Sequence, residues 1–510
     1  MQDIKLQLEA LDPFSPISRK GPLSDCCFFM LFCIIKINLL ENILLDIILF
    51  SKMTVFHNRR NELDSLDRFY RRPGFQMIPV YGRRRVGKTR LLQRFLEQKN
   101  GVYLLGRQVA KKPQLDAFGT VVGELFNDPF VSQRGFGDWD QLFVYLVQKA
   151  EQLPQKLVVV LDEFPYLASS DKGISSIFQS IVDQILKESN IMLILAGSHM
   201  GMMEREVLGY RAPLYGRRTG QLKVKPLDFH DATRFYPGYS ARDSLCLYAI
   251  AGGIPAYLER FSDELSVADN VISHFGSEEE FLAQEPEYLL RQELSEVRYY
   301  YSIVSAIARG HRKLGHIVNE TGLDKAVVGK YLKTLIDLYV VSREVPILEK
   351  NAERSRKGLY RISDNLFDFY FRYIFPNQHF LALGRGAELW KKKIFPTFQQ
   401  FVSLKAEEIA RQLAVREFPE IERIGRHWNR ELEVDIVGLD ASGNIQLAGE
   451  VKWWQEKPVG LNVLRDLERK VWQLGTDPKQ VKLLIYAAAG FTPELEATSV
   501  LLRDFTLLLL

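Results

Sequence analysis

Cysteine is scarce in this sequence: four occur in 510 residues, and three of them crowd the N-terminus. Their spacing fits neither a disulfide framework nor a zinc site, so a reducing, cytoplasmic setting is expected. Charge of one sign is scarce as well, because 67 basic residues stand against 63 acidic ones, a net charge of +4. This balance is too small to indicate a nucleic-acid partner, so any basic surface would have to be local.

An uninterrupted apolar run of membrane-spanning length is also absent. The most apolar stretch, residues 27–50, is broken by Lys36, Glu41 and Asp46. Each charge at the centre of a bilayer costs about 2.5–3.5 kcal/mol on insertion scales, and no cleavage site marks a signal peptide. We therefore expect no stable membrane association. Residues 1–52 are interpreted as a dispensable or spurious extension before Met53, with a membrane anchor as the alternative.

Short apolar runs alternate with helical segments from residue 75 onward. The runs lie at residues 75–81, 101–106, 156–162, 191–197 and 220–224. Such runs suit strands that are buried on both faces. Strands that alternate with helices favour a parallel sheet with right-handed crossovers. The sequence therefore predicts an α/β fold that begins with a parallel-sheet domain at residues 53–226.

The strand signal stops after residue 226, which predicts a change of architecture. Residues 227–295 are expected to form a helical lid, residues 296–360 a winged helix whose third helix is capped by Asp324, and residues 361–396 an aromatic-rich connector. Lysines on that third helix could contact phosphates, but nearby acidic residues dilute the charge and slightly favour a solvated face. A last α/β domain is predicted at residues 397–510.

The sequence GRRRVGKT at residues 82–89 fits the G-x-x-x-x-G-K-[ST] pattern of a P-loop. Residues 53–226 are therefore predicted to be a P-loop NTPase domain. In such a loop the backbone N–H groups wrap the phosphates of ATP. The lysine reaches the β- and γ-phosphates, and the hydroxyl that follows it ligates Mg²⁺. The predicted nucleotide contacts here are Gly82, Arg83, Arg84, Arg85, Val86, Gly87, Lys88, Thr89 and Arg90.

Two acidic residues end the run LVVVLDEF. Asp162 is expected to hold Mg²⁺, and Glu163 to polarise the attacking water, because both would lie beside the γ-phosphate. Ser198 follows the next apolar run and either senses the γ-phosphate or caps a helix. Three arginines precede the final run, Arg211, Arg217 and Arg218, and one of them is expected to act as an arginine finger. A solvated surface position is the alternative for each. Such a finger implies a homo-oligomer.

Residues 54–260 resemble the archaeal-type ATPases of the STAND and AAA+ neighbourhood. The resemblance rests on FHNRRNEL, GRRRVGKTRLL, VLDEFPYL, LAGSHMGMM, LYGRRTGQL and GGIPAYL. It implies that Asn58 and Arg59 lie near the adenine, and that Gly253 and Pro255 link the nucleotide to the helical lid. ATP and Mg²⁺ are the implied cofactors.

The tail carries a second candidate site. ELEVDIVGLD, the turn ASGN and IQLAGEVKW predict a hairpin. Glu450 and Lys452 are two residues apart on one strand, so they share a face, and Asp435 lies on the partner strand. Two carboxylates beside a lysine can bind Mg²⁺ and activate water against a phosphodiester. The pattern is weak by itself, but helices flank the hairpin on both sides.

Residues 397–490 resemble the restriction-endonuclease-like fold, PD-(D/E)xK, which often ends ATPases of this type. The resemblance implies that a glutamate of the first helix joins the metal site. SLKAEEIARQL offers Glu407 or Glu408, which helical periodicity does not separate, and the family's spacing favours Glu407. We expect an ATP-hydrolysing switch coupled to a Mg²⁺-dependent nuclease-like domain that acts on DNA. The alternative is a nucleotide-regulated DNA-binding or signalling scaffold with an inactive nuclease-like domain.

Overall fold

The alternation of apolar runs and helices produces the predicted parallel sheet of five strands. In the computed structural model these strands are β1 (Gln76–Tyr81), β2 (Gly101–Leu105), β3 (Leu157–Asp162), β4 (Ile191–Gly197) and β5 (Leu222–Lys223). Their order is β2-β3-β4-β1-β5, and every neighbouring pair is parallel. Strands β3 and β4 are buried along their whole length. The sheet therefore places the ends of β1, β3 and β4 at one edge.

Helices cover both sides of this sheet. They are α1 (Arg60–Tyr70), α2 (Lys88–Leu96), α3 (Lys111–Leu125), α4 (Pro129–Arg134), α5 (Trp139–Glu151), α6 (Phe164–Ser170), α7 (Ile174–Ile181) and α8 (Met200–Met203). The core contains edge-to-face aromatic pairs, among them Trp139 and Phe143 against Phe178, with ring centroids 5.5 and 5.4 Å apart. Aspartates cap two of the helices, since Asp128 and Asp138 accept hydrogen bonds from the first turns of α4 and α5.

A purely helical region follows the sheet, as the sequence predicts. Its helices are α9 (Phe229–Ala232), α10 (Ala241–Ala251), α11 (Pro255–Leu258), α12 (Val267–Phe275) and α13 (Phe281–Glu293). The break between α10 and α11 depends on Gly253, where a Cβ would lie 1.7 Å from the Leu227 carbonyl oxygen. Only glycine permits this close approach. The Leu227 N–H also donates a hydrogen bond to the Gly253 carbonyl, which stabilises the contact.

Three helices and a two-stranded ribbon come next. They are α14 (Val297–Ala308), α15 (Leu314–Thr321), α16 (Lys325–Asp337), β6 (Val341–Glu344) and the antiparallel β7 (Leu359–Ile362). These are the elements that a winged helix requires, and its identity as one stays a prediction. The expected cap of α16 is confirmed in position only. Asp324 occupies the N-cap position, but its side chain accepts no hydrogen bond from the helix.

The connector is built from aromatic packing, as predicted. Its short helices are α17 (Asn365–Phe369), α18 (Gln378–Ala382) and α19 (Gly386–Leu389). The ring of Phe369 lies 5.8 Å from that of Phe401 on the long helix α20 (Phe395–Glu417), which opens the last domain. Aromatic contacts thus join the connector to the C-terminal domain.

The C-terminal domain is a second five-stranded sheet. It contains β8 (Arg423–Trp428), β9 (Glu433–Leu439), β10 (Ile445–Lys452), helix α21 (Leu461–Gln473), β11 (Lys482–Ala487), helix α22 (Pro493–Glu496) and β12 (Leu501–Asp504). The order is β12-β11-β10-β9-β8, antiparallel from β8 to β10 and parallel from β10 to β12. Strands β8 and β12 were not expected from the sequence.

The structure describes residues 56, 58–171, 173–294 and 296–505. The predicted extension, residues 1–52, lies outside them. The helices of the described part include none that is long and apolar enough to cross a bilayer.

Candidate functional site

The phosphate loop joins β1 to α2. A Cβ on Gly82 would lie 2.3 Å from the Val224 carbonyl oxygen, so a larger residue would push the loop away from β5. Gly87 has a φ of +91°, in the left-handed region that favours glycine. Helix α2 then begins at Lys88. The two glycines of the motif are therefore needed for the shape of the loop, and its backbone N–H groups lie at a helix N-terminus, where anions bind.

Lys88 is buried inside the curve of this loop. Its Nζ donates to the carbonyl oxygens of Gly82 and Arg83, at 2.9 and 3.1 Å. Burial lowers the pKa of Lys88 to about 8, although the carboxylates of Glu163 and Asp162 oppose the shift. An anion in the loop would restore the charge that burial disfavours.

Thr89 and Asp162 meet across the site. The Thr89 hydroxyl donates to Oδ2 of Asp162 at 2.8 Å, which joins the start of α2 to the end of β3. The same carboxylate oxygen accepts from the hydroxyl of Tyr103 on the adjacent strand β2. A hydroxyl and a carboxylate are the oxygen ligands that Mg²⁺ prefers, so these two residues fit the predicted metal site.

Glu163 and Ser198 form the other half of this edge. The Ser198 hydroxyl lies 2.9 and 3.0 Å from the two carboxylate oxygens of Glu163, and so donates to that group. Glu163 itself has a φ of +53°, a backbone conformation that non-glycine residues seldom adopt. Strain at such a position is typical of functional sites. The sequence left two roles open for Ser198, and here it holds Glu163.

Asn58 and Arg59 precede α1, and both have positive φ. The buried Arg59 donates to the Val86 carbonyl at 2.8 Å and to the Lys225 carbonyl at 2.6 Å. These hydrogen bonds connect the phosphate loop to the segment that follows β5. Pro255 approaches the loop from the helical region, since its Cγ lies 3.7 Å from the place where a Cβ on Gly87 would be. An adenine contact by Asn58 and Arg59 stays a prediction.

The arginines of the loop point toward acidic residues of later segments. Arg83 pairs with Asp364, Arg84 with Glu293 at 2.8 Å, Arg85 with Glu285 at 2.9 Å, and Arg90 with Glu259 at 2.6 Å. Three of these acids lie in the helical region, and Asp364 caps α17 of the connector. The loop is therefore tied to the rest of the chain through its side chains, while its backbone remains for the nucleotide.

The finger candidates lie in the segment before β5. Arg217 forms a two-pronged ion pair with Asp183, with nitrogen–oxygen distances of 3.2 and 2.8 Å. Arg218 donates to Gln221 at 2.6 Å and lies over the ring of Tyr215. Both arginines thus have partners within this chain, and a role as a finger stays a prediction.

The predicted carboxylates of the tail meet on β9 and β10. Asp435 is buried and its Oδ2 accepts from the Val451 N–H at 2.9 Å. Glu450 is 2% exposed, and its Oε2 lies 2.5 Å from the Lys452 ammonium. Its Oε1 lies 2.7 Å from Lys470 of α21. Two lysines therefore hold one buried carboxylate beside a second.

Burial is the main cause of the raised pKa of Asp435, which reaches about 7, followed by the charges of Glu450 and Glu407. Burial also raises the pKa of Glu407. Glu408 instead pairs with Arg361 at 3.3 Å. Glu407 is thus the glutamate whose charge acts on Asp435. Among the described residues, however, no three acidic, histidine or cysteine side chains are close enough together to hold a metal ion. Mg²⁺ between Asp435 and Glu450 would have to displace a lysine from Glu450.

Two residues of these sites were missed by sequence reasoning. Tyr103 lies on β2, whose neighbour β3 ends at Asp162, and this adjacency follows only from the strand order. Lys470 lies four residues after Asp466, to which it is bonded at 3.1 Å. The four-residue spacing predicts the ion pair between Asp466 and Lys470 within the helix. It does not predict the contact between Lys470 and Glu450.

Comparisons with known proteins identify an ATPase domain in this chain. Residues 56–261 match a family described as an ATPase domain predominantly from Archaea. Residues 370–463 match a family described as archaeal and bacterial proteins of unknown function. An uncharacterized protein of Methanocaldococcus jannaschii is 33% identical over 430 residues, which cover 83% of this chain and 93% of that protein. An uncharacterized ATP-binding protein of the same organism is 47% identical over 47 residues, 9% of this chain and 80% of that protein.

Solved structures of similar shape include a Walker-type ATPase of Pyrococcus abyssi, with a TM-score of 0.48, 20% identity, and coverage of 62% of this chain and 96% of that one. The ORC2 protein of Aeropyrum pernix, solved with ADPNP and ADP, has a TM-score of 0.40, 15% identity, and coverage of 64% and 94%.

Proposed function

We propose that this chain, which belongs to the family of ATPases found predominantly in Archaea, is a cytoplasmic switch that binds and hydrolyses ATP. One observation carries the proposal. The Thr89 hydroxyl and the Asp162 carboxylate are in contact at 2.8 Å, beside a glutamate that Ser198 holds by both oxygens. Hydrolysis of ATP needs a metal site and a base at the same edge of the sheet.

Each residue then has a defined task. The backbone of residues 82–89 and the ammonium of Lys88 bind the phosphates. Thr89 and Asp162 would hold Mg²⁺, which neutralises phosphate charge when it is bound. Glu163 orients a water molecule and accepts its proton, because its carboxylate is held next to Asp162. Arg217 or Arg218 reaches the nucleotide of a neighbouring copy in a homo-oligomer.

Lys88→Ala tests the binding site. The variant removes the buried ammonium that contacts the loop, so we expect ATP affinity to fall by about 100-fold or more, the loss of a charged hydrogen-bonded contact. Lys187→Ala changes an exposed lysine of the same domain and should bind ATP like the wild type. Calorimetric titration measures both. Unchanged affinity in a folded Lys88→Ala protein contradicts the site.

Glu163→Gln separates hydrolysis from binding. The amide keeps the size of the side chain but cannot accept the proton, so we expect turnover to fall about 10²-fold or more while ATP stays bound. Glu151→Gln, at an exposed position of the same domain, is the matched control. Release of phosphate under saturating ATP gives the rate. Wild-type turnover in Glu163→Gln would assign the base to another residue.

The C-terminal domain is proposed to be a Mg²⁺-dependent nuclease that acts on DNA and is controlled by the ATPase. The support is the group Asp435, Glu450 and Lys452, in which two buried carboxylates lie beside an ammonium. The carboxylates would hold the metal, and Lys452 would stabilise the phosphate charge.

A binding scaffold is the second candidate. It is favoured by the two lysines that occupy both oxygens of Glu450, since a structural ion-pair cluster needs no metal. Cleavage assays of plasmid, linear and single-stranded DNA, with and without ATP, decide between the two.

A further inference from the structure

A group of cations lines a recess where the three-helix unit meets the C-terminal domain. They come from the α14–α15 loop, β7, α20 and β8, and we call their site the basic recess. Its cations are Arg312, Arg361, Lys405, Arg411 and Arg426. The acidic residues that line it are Asp368, Glu407 and Glu408. Five positive side chains thus face three negative ones across a short distance.

Some of these cations have acidic partners. Lys405 pairs with Asp368 at 2.8 Å, and Arg361 with Glu408 at 3.3 Å. Arg426 contacts Glu433 and lies 3.7 Å from Glu344, two acids outside the recess lining. These pairs leave Arg361 and Arg426 incompletely satisfied, because the Nε of each is buried without a hydrogen-bond partner.

Two cations have no acidic partner within ion-pair distance in the described part of the chain. Arg411 is 8% exposed, and its one hydrogen bond goes to the Asp435 main-chain carbonyl at 2.9 Å. Arg312 lies among other guanidinium groups. Burial lowers its pKa, Asp368 opposes this shift, and the charges of Arg426, Arg372 and Arg361 add to it. The charges of Glu344, Glu408 and Glu407 act on Arg411 without a direct ion pair, and a buried cation that no anion contacts is costly. The recess is therefore short of negative charge.

We propose that the basic recess binds one phosphate group. Guanidinium forks match the oxygens of phosphate in a two-pronged manner, and the recess presents such forks from four segments. The cavity is small, about 30 Å³, so it has room for one phosphate group and excludes a nucleoside. This site is separate from the P-loop and does not depend on ATP hydrolysis.

Two sources supply this chemistry: a free phosphate group, or a phosphate of a DNA backbone. The DNA source rests on the proposed nuclease-like function, since Arg411 touches the main chain of Asp435 and Glu407 lines the recess. A strand held there would pass beside the proposed carboxylates.

Thermal unfolding in phosphate tests the site. The Lys88→Ala background removes phosphate binding at the P-loop. In this background, phosphate at about 100 times its Kd should raise Tm by about 2–3 °C over chloride of equal ionic strength. Arg312→Gln should lose at least half of this rise. No rise in the Lys88→Ala protein, or an equal rise with Arg312→Gln, overturns the proposal.

Arg309→Gln is the matched control, because Arg309 is three residues away, exposed and paired with Glu320 at 2.9 Å. It should keep the full phosphate shift, and a loss there as large as with Arg312→Gln also overturns the proposal. Should Arg312→Gln fail to fold, Arg312→Lys keeps the charge and loses the fork, and is expected to weaken phosphate binding about tenfold.

Binding of labelled oligonucleotides at increasing salt identifies the source. If a backbone phosphate occupies the recess, Arg312→Gln lowers the salt slope by about one unit. An unchanged slope, together with a lost phosphate shift, assigns the site to a free phosphate group. A chain that binds no DNA at all contradicts the proposed DNA function but leaves the phosphate-dependent Tm as evidence for the recess.

Discussion

At the residue scale, Asp435 shows how burial changes the chemistry of a side chain. Its pKa rises from 3.8 to about 7, because burial and the carboxylates of Glu450 and Glu407 disfavour its charge, while Lys452 and the Val451 N–H only partly compensate. In the folded chain without metal, Asp435 therefore holds its proton in mildly acidic solution and loses it around neutral pH. A divalent cation beside it would favour the ionised form.

This shift predicts a pH dependence of stability. Between about pH 4 and pH 7 the unfolded chain has lost the Asp435 proton and the folded chain still binds it, so stability from this group falls as pH rises through that window. Asp435→Asn removes the effect and keeps an oxygen for the Val451 N–H. At pH 8 the variant should be more stable by on the order of 1–3 kcal/mol. Urea unfolding in EDTA at several pH values measures this. Parallel pH profiles for both proteins would contradict the raised pKa.

At the scale of elements, the phosphate loop is tied to helix α13 by ion pairs. Arg84 and Arg85 contact Glu293 and Glu285, which are two turns apart on that helix. Glu285 is 1% exposed and also accepts from the Tyr257 hydroxyl at 3.1 Å. The proposed nucleotide site uses the same loop, so a nucleotide that moves the loop would also act on the position of α13. The ion pairs of Arg84 and Arg85 therefore connect the phosphate loop to the helical region.

Arg85→Met should destabilise the protein, since it leaves the buried Glu285 with Tyr257 as its remaining partner. Breaking a buried ion pair from one side costs about 3–5 kcal/mol, and the hydroxyl should keep the loss near the lower value. The double variant Arg85→Met/Glu285→Leu should recover most of it. Arg94→Met breaks an exposed pair with Glu97 and should cost less than about 1 kcal/mol. Denaturant unfolding compares the three, and equal losses for Arg85→Met and Arg94→Met would show that the pair is not effectively buried.

The sequence predicts local patterns and misses contacts between distant segments. Strands β1 to β5 were predicted because each is a short apolar run, and residues 82–89 because their spacing serves a known chemistry. Strand β8, RIGRHW, was missed because four of its six residues are only partly buried and three of the six are basic, so it is not an apolar run. The ion pair of Arg84 and Glu293 joins positions that are 209 residues apart in the sequence. Hydrophobic periodicity describes neighbouring residues only, so it does not predict such a contact.

At the scale of the whole molecule, one chain of contacts runs from the P-loop to the C-terminal carboxylates. Arg83 of the loop pairs with Asp364, which caps α17 of the connector. Asp368 of α17 pairs with Lys405 of α20, and Arg411 of the same helix donates to the Asp435 carbonyl. Each of these three contacts involves at least one charged side chain. A shift of the loop on nucleotide binding thus has a physical route to the tail, and this route becomes allosteric only if two states differ along it.

The last prediction tests this coupling together with the nuclease proposal. Asp435→Ala removes one of the two buried carboxylates, so Mg²⁺-dependent cleavage of DNA should fall by about 10²-fold or more, as expected when a positioned metal ligand is lost. Glu431→Ala changes an exposed carboxylate on the loop before β9 and should cleave like the wild type. ATPase turnover should be unchanged in both variants, because the P-loop does not contact Asp435.

Asp364→Asn then addresses the link. It should leave Asp435, Glu450 and Lys452 in place but reduce the difference between cleavage with and without ATP, since the charge that binds Arg83 to the connector is gone. Cleavage of labelled linear DNA, followed over time with Mg²⁺ and with ATP or no nucleotide, gives both quantities. Wild-type cleavage by Asp435→Ala rules out the carboxylate site. If the wild type cleaves no DNA under any of these conditions, the scaffold is the better description of the C-terminal domain, and the P-loop remains the chain's proposed site of catalysis.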